Sequence, residues 1–214
     1  MPTLDAILVI VVTFALLLFL GSLFYLVLDD GLALVLSELI ILIVPLGYLI
    51  VKRVNIKRYV GLDVSPKLVM LGFASGALLL LVDIIVSVAL TNIFGVSQAI
   101  EESNAIITEL STSTEGLIAV VAALALAGVC EEFAFRGFLQ STLTRRYSFI
   151  PAVITSAFVF GLFHFDIQLV YILSALTAGL VLGYVYHRWN SYVVAAIAHA
   201  SVNLVVLVTL ILAS

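Results

Sequence analysis

Charge is scarce in this sequence. Asp, Glu, Lys and Arg make up only 10% of its 214 residues, where a soluble domain carries about a quarter. A chain of this size in water buries only roughly 70% of its surface. That is too little to hide a hydrophobic content of 64%, so a water-soluble domain is excluded. Cysteine is nearly absent: the single Cys130 excludes an internal disulfide and any CxxC metal or redox pair. The 9 Lys and Arg residues form no stripe, and zinc-finger spacing is missing, so nucleic acid is excluded as a partner. No Lys or Arg precedes the first apolar run, MPTLDAILVIVV, and that run reaches Leu28 without a small-residue cleavage site. It reads as a retained helix and not as a secretory signal. There is no internal repeat, low-complexity linker or soluble segment, so residues 1–214 read as a single integral membrane domain.

What remains is apolar helix. Mean hydropathy is +1.32. A spanning helix needs about 20 mostly apolar residues, and such stretches lie at about 6–28, 32–51, 67–94, 115–143, 149–165, 167–187 and 191–213. The expected fold is therefore an all-α polytopic bundle of about seven transmembrane helices in a cell membrane. Asp29-Asp30-Gly31 divides the first two stretches, and Lys52 to Lys67 the next pair. The longest polar segment is 95–115, where Ala99, Ile100, Ile106, Ile107 and Leu110 recur at rough helical spacing, so part of it is expected along the interface.

The few charges set an orientation. Lys52, Arg53, Lys57, Arg58 and Lys67 share one loop; Arg145 and Arg146 follow two crossings later, and Arg188 two crossings after that. With seven spans these loops lie on one side, which the positive-inside rule makes cytoplasmic. Asp29, Asp30, Glu101, Glu102, Glu109 and Glu115 fall opposite. The N-terminus is then cytoplasmic and the C-terminus outside.

Three charges break this pattern by standing inside the fourth span: Glu131, Glu132 and Arg136. An intramembrane charge costs at least ~2.5 kcal/mol, so these side chains must face protein or a water-filled cavity. Glu132 and Arg136 are four apart with the acid first, the favourable order for an ion pair on one helix face. Glu131 points about 100° away around the helix and is left free. His164 lies near the end of the fifth span; His199 lies in the seventh, with Asn203 one turn on along the same face. At 1.5 Å per residue, Glu131, His164 and His199 stand about 18, 22 and 12 Å from the cytoplasmic ends of their helices. These depths place all three inside the hydrocarbon layer, toward its middle. A buried carboxylate can serve as general base, one histidine can hold the same water, and a histidine with an asparagine can donate to the oxyanion of a tetrahedral intermediate.

The same residues fall into three ordered motifs. Glu131 to Gly137 has the form EExxFRG, Phe160 to His164 the form FxxxH, and His199 to Asn203 the form HxxxN. Together, over roughly residues 115–205, they resemble the CPBP family, which joins the type II CAAX prenyl proteases to bacteriocin-processing and bacteriocin-immunity proteins. The resemblance implies a glutamate-dependent intramembrane protease that uses no metal or other cofactor. Glu131 would activate water with help from His164, His199 and Asn203 would form the oxyanion hole, and Glu132 and Arg136 would support the site. The implied partners are the lipid bilayer and a membrane-associated peptide or protein substrate, with prenylated CAAX-type chains among the candidates. The site is expected to open toward the cytoplasm or laterally to lipid.

Other chemistries compete for these residues. Glu131, His164 and His199 number enough for a zinc site with one open position, but the hallmark HExxH is absent. Cys130 sits beside two carboxylates, which disfavour a nucleophilic thiolate. The cluster Phe133, Phe135, Phe138, Phe158, Phe160, Phe163 and Phe165 reads first as packing and lipid contact, and second as a groove for an apolar or lipidated peptide. Glu38 and Asp83 read as hydrogen-bonded carboxyls facing the bundle; their alternative is an ion path in a small proton-coupled transporter. A non-catalytic membrane scaffold or immunity protein of the same fold is the remaining alternative.

Overall fold

The computed structural model describes residues 3–213, which form helices and no strand. In chain order these are α1 (Thr3–Val27), α2 (Asp30–Val51), α3 (Ile56–Val60), α4 (Pro66–Phe94), α5 (Gln98–Leu110), α6 (Thr114–Glu132), a π-helical segment (Phe133–Gln140), α7 (Ser141–Thr144), α8 (Phe149–Phe163), α9 (Val170–Trp189) and α10 (Tyr192–Ala213). The helix starts follow from capping side chains. Asp29, Asn55, Ser65, Ser97 and Ser113 each accept a hydrogen bond from a backbone N–H three residues on, filling donors that the first turn leaves empty.

Six helices are long and apolar enough to cross a membrane: α1, α2, α4, the continuous 114–144 helix, α9 and α10. The fifth expected span is shorter than its apolar run. α8 has 15 residues and stops at Phe163, so His164 is its C-cap and not part of its last turn. The chain is thus a multi-pass membrane protein with six to seven apolar helices. Its outer surface agrees with a lipid solvent. Leu8, Phe19 and Leu26 on α1, and Met70, Phe73 and Ile85 on α4, are all exposed. In water such a surface would be an association site; in a bilayer it is ordinary lipid contact.

The two polar segments hold structure that apolar periodicity does not reveal. Residues 52–67 contain α3, closed by Gly61 in the left-handed region at φ +69°. A Cβ at Gly61 would stand 2.4 Å from the carbonyl oxygen of Asn190, so this loop and the α9–α10 turn touch through bare backbone, with Tyr192 N–H donating to Gly61 O at 3.1 Å. Arg145 lies over the ring of Tyr59, 4.2 Å from its centre. All three basic loops therefore gather at one end of the bundle. The opposite end joins the turn before α5 to the loop after His164, through Ser97 and Asp166.

The core is built where α6 meets α2 and α10 and where the π-helical segment that continues it meets α8. Glycine permits the closest approach: a Cβ at Gly128 would lie 2.6 Å from the backbone nitrogen of Ala200 and 2.8 Å from its Cα. Backbone cannot step aside, so Gly128→Ala is expected to push α10 from α6 and cost about 1–3 kcal/mol. Thermal unfolding in detergent measures this, and an unchanged midpoint would contradict so close a packing.

Candidate active site

The π-helical turn begins directly after the two glutamates. Its wider i→i+5 pattern leaves Arg136 and Gln140 both turned to α9, where Arg136 Nη2 donates to Gly179 O at 3.1 Å and Gln140 Nε2 to Gly183 O at 2.9 Å. Gly137 lets α3 close over the other side, because a Cβ there would sit 3.1 Å from Val60 Cβ and Cγ1. The segment 133–140 is buried throughout.

Inside this frame lies a charged triad. Arg136 Nη1 donates to Glu132 Oε1 at 2.7 Å, with both side chains at 0% exposure. The guanidinium also stacks 4.4 Å from the centre of the Phe160 ring. The same Glu132 oxygen faces His199 Nδ1 at 3.0 Å, a third partner that helical spacing along one segment could not reveal. Since Glu132 accepts from Arg136, the imidazole donates here through Nδ1–H. Its other nitrogen, Nε2, points to Glu131 Oε2 at 3.9 Å, beyond hydrogen-bond reach. Glu131 Oε2 is buried with no hydrogen-bond partner, and Glu38 on α2 lies within electrostatic reach of it.

His164 and Asn203 approach from another side. His164 Nδ1 faces Phe160 O at 3.0 Å; a carbonyl only accepts, so Nδ1 carries the proton and a neutral ring keeps Nε2 as an acceptor. Asn203 Nδ2 donates to Leu124 O at 3.3 Å, leaving its second N–H. Together with His199 they line a cavity of about 330 Å³ between α4, α9 and α10, whose wall also includes Asp83, Tyr171 and Ser174. Glu131 is not among its lining residues, so His199 is the side chain shared by the cavity and the acid pair. The cavity continues beneath α5, which contributes Ile100, Ser103, Asn104 and Ile107. It thus extends toward the end of the bundle away from the basic loops.

Several residues enter here that the sequence alone did not single out. Asp166, 4% exposed, accepts from Ser97 Oγ at 3.1 Å, Gln168 N–H at 3.0 Å and Tyr171 N–H at 2.9 Å. Burial pushes its carboxyl up, but donors from Tyr171, Gln168, Ser97 and Val170 outweigh this and hold it below the usual aspartate range. Its contribution is therefore complete above the ordinary value of about 3.9 and is lost as the pH falls below it. Asp166→Ala is expected to speed amide exchange at Gln168 and Tyr171 at least tenfold; unchanged exchange would show that the clasp is dispensable.

Among the described residues no three His, Cys, Asp or Glu side chains are gathered closely enough to hold a metal ion. Cys130 is fully buried. Phe135 packs edge-on against Phe160 and Phe163, and Phe133 against Tyr192, whereas Phe158 and Phe165 are exposed. Glu38 is buried with Oε2 unpartnered, and Asp83 accepts from Ser174 Oγ at 3.2 Å.

The chain is an all-helical multi-pass membrane protein that encloses carboxylates, two histidines and an amide. Residues 113–205 match the family model described as Type II CAAX prenyl endopeptidase Rce1-like, and the resemblance to the CPBP family drawn from the three motifs is shown over that segment. The match supports a protease of the CAAX endopeptidase type, whose family setting implies a membrane-associated peptide substrate in a lipid bilayer. Neither the curated proteins nor the solved structures contain a significant match to the chain.

Proposed function

We propose that this chain is an intramembrane endopeptidase that hydrolyses a peptide bond of a membrane-associated substrate with water activated by Glu131. The observation that carries the reading is the pairing of a buried, unpartnered carboxylate oxygen on Glu131 with His199, whose ring is anchored from behind by Glu132 and Arg136. In the proposed reaction Glu131 takes a proton from a water that the Nε2 lone pair of His164 helps to hold, and the resulting hydroxide attacks the peptide carbonyl. The oxyanion accepts from the free N–H of Asn203 and from His199 Nε2–H. His199 already donates through Nδ1, so donation through Nε2 requires the imidazolium form. Collapse of the tetrahedral intermediate expels the amine, which receives the proton from Glu131. Each group begins the cycle as it ends it, and no metal is assigned.

The grouping of the basic loops at one end supports the orientation with the N-terminus cytoplasmic and the C-terminus outside. A purified sample in detergent separates the readings, because micelles provide no two compartments for a transporter to work between. Incubation with an apolar peptide should yield two fragments whose masses sum to the parent plus one water. An intact peptide in the presence of folded protein would favour the non-catalytic scaffold.

A further inference from the structure

His164 is the one member of the proposed site that no helix interior holds. It caps α8 with φ −94° and ψ 56°, outside the helical range, and its N–H donates to Gly161 O at 3.0 Å. The chain then turns through residues 165–169 before α9 begins. Phe165, Ile167, Gln168 and Leu169 are exposed, and Leu169 takes the left-handed region at φ +64°. Asp166 is the buried side chain of this turn, and its two oxygens tie it together. Oδ1 accepts from Gln168 N–H; Oδ2 accepts from Tyr171 N–H and from Ser97 Oγ. Leu169 offers α9 no side-chain cap, so Asp166 supplies an acceptor for its first turn. Gln168 adds a second tie to α5, since its Oε1 accepts from Gln98 N–H at 2.6 Å.

The far side of the turn comes back to the imidazole. Tyr171 stands in the first turn of α9, and its ring meets His164 in a T-shaped pair with centroids 5.0 Å apart at 76°. Phe160 touches the same imidazole from α8, at 4.8 Å. The bond from Nδ1 to Phe160 O fixes one ring atom and leaves the ring free to swing about it; two aromatic neighbours restrict that swing. We propose, resting on the peptidase reading, that Asp166 and Tyr171 are positioning residues for His164: Asp166 fixes the turn that carries Tyr171 back to it, and the Tyr171 ring holds the imidazole with Nε2 toward the cavity. Neither residue handles a proton of the reaction. Both act by keeping the water on Nε2 in place, where a displacement of about 1 Å can cost a factor of about 10² in rate.

The test observes the imidazoles themselves. The sequence has 3 histidines, His164, His187 and His199, and NMR of protein with labelled imidazoles follows each ring once single substitutions have assigned the signals. In Asp166→Asn and in Tyr171→Leu the His164 signals are expected to shift or broaden, while His187, at the other end of α9, keeps its own. Tyr171→Leu leaves the hydrogen bonds of Asp166 intact, so it reads the ring contact in a folded turn. In peptide cleavage at matched folded concentration, both variants should lower kcat by about 10- to 100-fold and change KM by less than about threefold. Tyr171→Phe keeps the ring and should recover both the His164 signals and the rate. His164 signals unmoved in Tyr171→Leu, a raised KM with kcat unchanged, or a Tyr171→Phe protein as impaired as Tyr171→Leu would each overturn the proposal. Signals that move as expected in a protein whose wild type cleaves nothing would instead remove the peptidase reading and leave the positioning of His164 standing.

Discussion

Arg136→Ala is expected to lower folding stability by about 3–5 kcal/mol, the usual cost of stranding one member of a buried ion pair. Arg136 is fully enclosed and satisfies three neighbours at once: the carboxylate of Glu132, the carbonyl of Gly179 and the face of Phe160. Its removal leaves the buried Glu132 without its cationic partner, and opens a cavity between the π-helical turn and α9. Removing the acid as well should restore much of the loss, because a buried pair replaced by apolar side chains of similar size is often neutral. Glu132→Leu with Arg136→Leu should therefore unfold near the wild-type midpoint yet stay inactive, since His199 has lost the acceptor of its Nδ1–H. Reversible unfolding in mixed detergent reports both values. A single variant as stable as wild type would contradict the account of the pair.

Glu131→Gln is expected to separate chemistry from folding in the opposite way. The amide has nearly the volume of the acid but cannot take a proton from water, so turnover should fall by about 10²- to 10⁴-fold. Stability should change little, because Glu131 Oε2 accepts no hydrogen bond that the substitution could break. Glu132→Gln should show the reverse balance, harming the fold more than the chemical step. The decisive comparison is the rate of peptide cleavage at matched folded concentration. A Glu131→Gln protein that turned over at the wild-type rate would assign the base elsewhere.

The helices were legible because lipid removes the ambiguity that soluble chains have. An apolar run of 20 residues admits one structure in a bilayer, and the expected stretches 32–51, 67–94 and 191–213 differ from α2, α4 and α10 by two residues at most. Capping residues at Asp29, Ser65 and Ser113 mark the starts. The misses have local causes. α3 carries no apolar periodicity; its signal was the pair Asn55 and Gly61, a cap at each end of a five-residue helix. The π-helical turn at 133–140 is invisible to a period of 3.6, since one wider turn barely alters the hydrophobic pattern. The end of α8 at Phe163 reflects Asp166, which gathers backbone donors from 168 and 171 and so folds the chain into a loop.

The candidate site was legible as a list of residues and not as an arrangement. The Glu132–Arg136 pair follows from i,i+4 geometry on one helix and is present. How α10 is rotated against α6 does not follow from either helix alone, so the His199–Glu132 contact could not be read, nor the cavity shared by His164, His199 and Asn203. Gly128 sets that rotation through contact with Ala200, next to His199. In a sequence it is one small residue among many.

The most direct measurement is cleavage of a quenched-fluorescence farnesylated CAAX-type peptide by the purified wild-type protein, with and without a strong chelator. The account predicts cleavage at one bond, at the same rate in both. Folded protein that leaves the peptide intact, or cleavage that the chelator abolishes and zinc restores, would contradict it.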